Sequence, residues 1–194
     1  VWLEIGYNGQ NFTFDEQAFQ YYPRVVVKTI NPSRPVVGSR FEIEGSGFSW
    51  RAGELRTLQC RFDCSAVPVF TVTAATFIEE TRLQCMSPTF SRGQCGVEVT
   101  NNGRDFTSDG RQAVFVDLIV SNVSPQVGPV LGGTHVVISG SEFVPGEYAC
   151  WFGDYLANAQ RYSQTVVTCT SPKTGGRDSY GTLLIGFNSV ALSN

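Results

Sequence analysis

The chain repeats itself. A sequence that repeats at domain length folds as copies of one unit, each with its own core. The stretch from Val25 to Phe48 is matched by the stretch from Ile119 to Phe143. Pro32 falls on Pro125, an offset of 93, and Gly45-Ser46-Gly47-Phe48 falls on Gly140-Ser141-Glu142-Phe143. Cys60-Arg61-Phe62 then matches Cys150-Trp151-Phe152. Cys85-Met86-Ser87-Pro88 matches Cys169-Thr170-Ser171-Pro172, by which point loop deletions have cut the offset to 84. A partial copy opens the chain: Leu3-Glu4-Ile5 through Phe12-Thr13 matches Val97-Glu98-Val99 through Phe106-Thr107 at a constant offset of 94. The expected organisation is the last strands of a preceding unit in residues 1–24, a complete unit in 25–117, and in 118–194 a unit truncated in its last strand. Without an initiating Met or a signal peptide, the chain reads as a piece of a longer protein.

Each unit reads as short strands. Phe41-Glu42-Ile43-Glu44, Val97-Glu98-Val99 and Leu3-Glu4-Ile5 alternate apolar and polar residues, the period of a half-buried strand. Asn8-Gly9 and Asn102-Gly103 are turn pairs that tolerate positive φ. With 20 Gly, 9 Pro and one Met, the composition disfavours long helices. Strands spaced by such turns predict an all-β fold of tandem sandwiches. Ala113-Val114-Phe115-Val116-Asp117 runs almost directly into Leu118-Ile119-Val120, so the joint between units is expected to be short and stiff, with its apolar residues buried against both. Trp50-Arg51-Ala52-Gly53 reads as a lengthened loop.

In order, the markers are Ser124-Pro125, Gly128 to Thr134, Gly140-Ser141-Glu142-Phe143, Cys150-Trp151-Phe152 and Cys169-Thr170-Ser171-Pro172. They resemble the IPT/TIG family of immunoglobulin-like domains, found in plexin-type receptors, extracellular adhesion proteins and some transcription factors. The middle unit departs from the pattern. It has Val37-Gly38-Ser39 where Gly-Gly-Thr is usual, and two extra cysteines. The last unit lacks an Asn-Gly pair at Asn188. The resemblance implies tandem immunoglobulin-like β-sandwiches and a conserved bond between the two cysteines each unit shares.

If the repeats fold alike, Cys60 pairs with Cys85 and Cys150 with Cys169, as the resemblance also implies; Cys64 and Cys95 are left for each other. An even count of six cysteines without a C-x-x-C pair suits disulfides better than zinc. Disulfides place the protein in an oxidising compartment, outside the cell or at its surface. Two N-glycosylation triplets agree, at Asn11 and Asn122.

A single histidine, His135, sits in a strand-like run with no carboxylate or serine placed to form a triad. Glu79 and Glu80 are adjacent and so unsuited to paired acid–base work. Asp105, Ser108 and Asp109 share one loop whose spacing fits no calcium site and reads as a solvated turn. No enzyme activity, metal or cofactor is expected. A net charge of −3, and ten basic against ten acidic residues in the middle unit, disfavour a nucleic-acid partner. No apolar run reaches the roughly 18 residues of a membrane span, so any membrane tie lies in other parts of the parent protein.

Strand parity bears on binding. Cysteines that bridge must face the core, so Arg61 and Trp151, one position on, face out. By alignment Trp2, Glu4 and Leu184 also face out. Trp2, Trp151 and Leu184 are the candidate interface residues, and the alternative is that a loop or neighbouring unit covers Trp151. The reading is a non-enzymatic structural or adhesive array whose partners are other protein chains or further copies of the array. The rival readings are a carbohydrate-binding accessory module of a secreted enzyme and a DNA-binding transcription factor.

Overall fold

The computed structural model describes residues 1–7, 9–65, 70–89, 92–175, 182–187 and 190–192, the last three through their backbone. Asn8 of the first turn pair and Asn188 of the last hairpin lie outside the described residues.

Strands β1 (Trp2–Leu3) and β2 (Gln17–Ala18) pair antiparallel at the start of the chain. The middle unit follows as β3 (Val26–Asn31), β4 (Arg40–Ser46), helix α1 (Trp50–Glu54), β5 (Gln59–Cys64), β6 (Thr71–Glu79), β7 (Arg82–Met86), β8 (Gly93–Thr100) and β9 (Gln112–Phe115). The third contains β10 (Ile119–Ser124), β11 (His135–Ser141), β12 (Tyr148–Phe152), β13 (Tyr155–Arg161), β14 (Val166–Thr170), β15 (Leu183–Phe187) and β16 (Val190–Leu192). Neighbour order among the described residues is β3-β4-β7-β6-β5-β8-β9 and β10-β11-β14-β13-β12-β15-β16, so the two units share one topology.

One strand in each unit belongs to both layers of the sandwich. The first half of β6 pairs with β5, Gln59 opposite Ala74, and its second half pairs with β7, Ala75 opposite Cys85. In the third unit β13 does the same between β12 and β14. The fold is an immunoglobulin-like sandwich closed by this crossing strand. Alternation sets what it encloses: Phe41 and Ile43 of β4 point inward while Arg40 and Glu44 meet solvent.

Two aromatic clusters fill the cores. In the middle unit Phe41, Phe62 and Phe115 pack edge to face, with centroids 5.6–6.0 Å apart. In the third, Tyr148 packs between Phe143 and Phe187 and donates to the Val144 carbonyl at 2.9 Å. Burial pushes its phenol up to about 12, against the opposing pull of Arg161.

Disulfides tie the layers. Cys60–Cys85 joins β5 to β7 and Cys150–Cys169 joins β12 to β14, with Cα atoms 6.2 and 6.5 Å apart. Cys64–Cys95 links two residues directly opposite on β5 and β8. The closed loops of 25, 31 and 19 residues each stabilise by roughly 3 kcal/mol in the chain-entropy account.

The structure corrects two local expectations. Residues 50–53 form most of α1 rather than a loop. The Ser49 side chain caps it by accepting from the Ala52 N–H, and Ala52 is buried. Ile119 at the joint is 52% exposed, because it sits on edge strand β10 and turns its side chain outward. The joint is instead closed by Val36 and Val116. They pair in parallel and bury completely or nearly so within the core cluster of the third unit. The neighbouring Val37 packs into the core of the middle unit. Arg34 adds a 2.6 Å ion pair to Glu142 across the joint. Glu142 holds a left-handed φ of 61° where the matched residue is Gly47, a strained place for a side chain.

Candidate functional site

The two full units differ in chemistry on the outer face of one matched layer, β5–β8 in the middle unit and β12–β15 in the third. In the middle unit Arg61 of β5 lies opposite Val72 on β6 and Glu98 on β8. Its guanidinium sits over Phe106, 4.6 Å from the ring centroid, and over Phe70 at 5.7 Å. Cation–π stacking and a neighbouring carboxylate suit a charge that stays on the surface. Glu98 organises the returning loop: Thr107 Oγ1 donates to it, as do the N–H groups of Asp109 and Gly110. The first segment repeats this device. Thr13 donates to Glu4 at 2.9 Å, and Thr13 and Ile5 exchange the same bonds as Thr107 and Val99.

In the third unit the row is apolar. Trp151 lies opposite Leu156 on β13 and Leu184 on β15. Trp151 and Leu184 are half-buried and Leu156 is 58% exposed. The structure thus brings Trp151 and Leu184 together as register partners. Trp2 stands on the separate β1–β2 pair, exposed and opposite Ala18. Leu156 is not among the residues that sequence parity singles out; it shares the exposed face of β13 with Asn158, while Ala157 and Ala159 are half-buried. Asn11 and Asn122 are both exposed, the second on edge strand β10.

Asp109 is a further correction. It is no solvated turn residue, for its side chain is only 13% exposed. Its carboxylate accepts from the Val27 N–H at 2.7 Å, and Arg111 donates to the Val27 carbonyl at 3.3 Å. Together they satisfy the N–H and C=O of Val27 on edge strand β3. Asp109→Ala is expected to cost about 1–3 kcal/mol, because it leaves a partly buried N–H without its acceptor. Chemical denaturation measures the loss, and hydrogen exchange at Val27 should speed up with it.

His135 is exposed, as are Glu79 and Glu80, and Glu79 pairs with Arg82 at 3.5 Å. Among the described residues no group of three or more His, Cys, Asp or Glu side chains is placed to hold a metal. Among them, too, no helix is long and apolar enough to cross a membrane.

Two sandwiches of one topology, each tied by an inter-layer cystine and joined without a linker, define a tandem immunoglobulin-like repeat. The family model of the IPT/TIG domain matches residues 25–115 and 118–189, and the chain belongs to that family. Two solved structures of the full extracellular region of plexin A4 share the fold. One aligns over 98% of this chain at 15% identity with a TM-score of 0.63, and the other over 87% at 16% with 0.56. This chain spans 16% and 17% of those proteins. SGBP-B, from a xyloglucan utilization locus of Bacteroides uniformis, aligns over 87% of this chain and 48% of its own at 15% identity, with a TM-score of only 0.35. No curated protein matches in sequence.

Proposed function

We propose that this chain is a stretch of an extracellular, non-enzymatic array that spaces and positions its parent protein and meets other protein chains through the third unit. Residues 1–24 supply the last strands of a preceding unit, since the β1–β2 register of Trp2 opposite Ala18 repeats that of Gly96 opposite Gln112 at an offset of 94. Cystine-tied sandwiches support the oxidising compartment. The observation that carries the contact role is the Leu156–Trp151–Leu184 row, which replaces the Val72–Arg61–Glu98 row of the middle unit. A half-buried tryptophan between two leucines is the kind of aromatic anchor that dominates protein–protein contacts.

Trp151→Ala tests this. Because the ring lies on the outer face, the thermal midpoint should move little. Partner binding or self-association should weaken by about 2 kcal/mol or more. Calorimetry of the variant and sedimentation over a concentration series measure the two effects separately. A stability loss of about 3–5 kcal/mol with binding intact would place Trp151 in the core and sink the reading.

A further inference from the structure

Asn11 lies in a loop whose geometry the middle unit reproduces. At the offset of 94 its counterpart is Asp105. Gly9 and Gly103 hold φ values of 73° and 72° in the two loops. Thr13 N–H donates to the Ile5 carbonyl at 3.0 Å, as Thr107 N–H does to the Val99 carbonyl at 2.9 Å. Asn11 is exposed beside a single strand pair, β1–β2, whereas Asp105 sits in a full sandwich and is exposed there too. Access to water at this position is a property of the fold.

The two loops differ in what that position offers. Asp105 braces its loop with a carboxylate that accepts from Asn102 Nδ2 at 2.7 Å. Asn11 puts an amide in its place and is followed by Phe12 and Thr13, which completes the acceptor triplet for N-linked sugar. Attachment takes one hydrogen from Nδ2 and leaves Oδ1 as an acceptor, so the modified side chain keeps the oxygen chemistry that the loop uses. The bulk of a glycan suits an exposed loop. Asn122, the other triplet, stands instead within strand β10, paired with Ser139.

We propose that Asn11 carries an N-linked glycan. In the transfer, Asn11 Nδ2 bonds to the anomeric carbon of an oligosaccharide carried on a polyprenyl diphosphate. The bond from that carbon to the diphosphate breaks, and the proton lost by nitrogen goes to the departing diphosphate. Nothing is oxidised or reduced. Donor and transferase belong to the secretory pathway, so the proposal rests on the extracellular reading. In the folded hairpin Thr13 Oγ1 is engaged, donating to Glu4 at 2.9 Å and accepting from the Ile5 N–H at 3.1 Å, so the sugar is added before the hairpin closes. The glycan then keeps this loop in water and out of protein contact. Strands β12, β13 and β15 hold no such triplet, which leaves the Leu156–Trp151–Leu184 row open to a partner.

The test is peptide mapping of the protein isolated from its natural source. It is digested without reduction, and the peptides are weighed before and after peptide-N-glycosidase treatment in heavy-oxygen water. The expected result is a glycopeptide spanning Asn11 that the enzyme converts to a heavy-labelled aspartate. Asn11→Gln, produced in the same source, should lose that glycan with the melting midpoints of both sandwiches unchanged, and Asn122→Gln should keep it. An Asn11 peptide found bare throughout, in protein whose Cys60–Cys85, Cys64–Cys95 and Cys150–Cys169 bonds are intact, overturns the glycan and leaves the extracellular reading standing. Free thiols at these six cysteines overturn both.

Discussion

Phe115→Ala is expected to destabilise the middle unit by about 3–5 kcal/mol. The ring is 2% exposed and packs edge to face on both Phe41 and Phe62, which come from opposite layers. Removing it leaves a void that the disulfide-tied layers cannot close by moving together, so the full cavity cost is felt. For a unit of this size each kcal/mol lowers the midpoint by roughly 4–8 °C. The middle unit should therefore melt well ahead of the third, and a single transition should split in two. Differential scanning calorimetry reads this directly. A loss below about 1 kcal/mol would show that the core is not built around this triad.

Phe115 also shows what a sequence of this kind discloses. Cysteine parity places Cys60 and Cys150 inside and Arg61 and Trp151, one position on, outside, because period-2 geometry is local and leaves its mark in every strand. The repeat carried the topology, since whatever one copy does the other must do. What escaped were contacts made by a single residue at long range. Asp109 reaches Val27 across 82 positions, and nothing in Ser108-Asp109-Gly110 distinguishes such an acceptor from a turn residue facing water. Val36 and Val37 read alike in sequence, yet one packs into the third unit and the other into its own. Which neighbour a side chain serves at a joint depends on how two bodies meet, and no pattern within either records it. The short α1 was hidden for a related reason. Trp50-Arg51-Ala52-Gly53-Glu54 spans little more than one turn and contains Gly, and it is held by the Ser49 cap and by burial of Ala52 rather than by propensity.

Gly140→Ala should be among the most damaging small substitutions in the third unit. The glycine belongs to the repeated Gly-Ser-x-Phe stretch, and its backbone lies hard against the strand beside it. A Cβ built there would stand 1.9 Å from the Ile119 carbonyl oxygen and 2.8 Å from Phe143 Cζ. Gly45 meets the same obstacles at 2.1 and 2.8 Å, in the Val26 carbonyl and Phe48. One matched position in two units of different sequence thus has no room for a methyl group, so the constraint belongs to the fold. Neither neighbour can give way cheaply. The carbonyl is backbone of β10, which starts one residue after the joint, and the Phe143 ring is fully buried. Overpacking costs typically about 1–3 kcal/mol, and displaced backbone should put Gly140→Ala at or above the top of that range. Because β10 must move, the variant should also loosen the joint at Asp117 and Leu118, and hydrogen exchange there should rise with the loss of stability. Gly153→Ala separates steric from conformational cost. Gly153 has a φ of 60° but nothing within 4 Å of its would-be Cβ, so it pays only for the left-handed backbone, about 1 kcal/mol. If urea denaturation finds the two variants equally stable, the close approach of β10 to β11 is not what fixes the glycine.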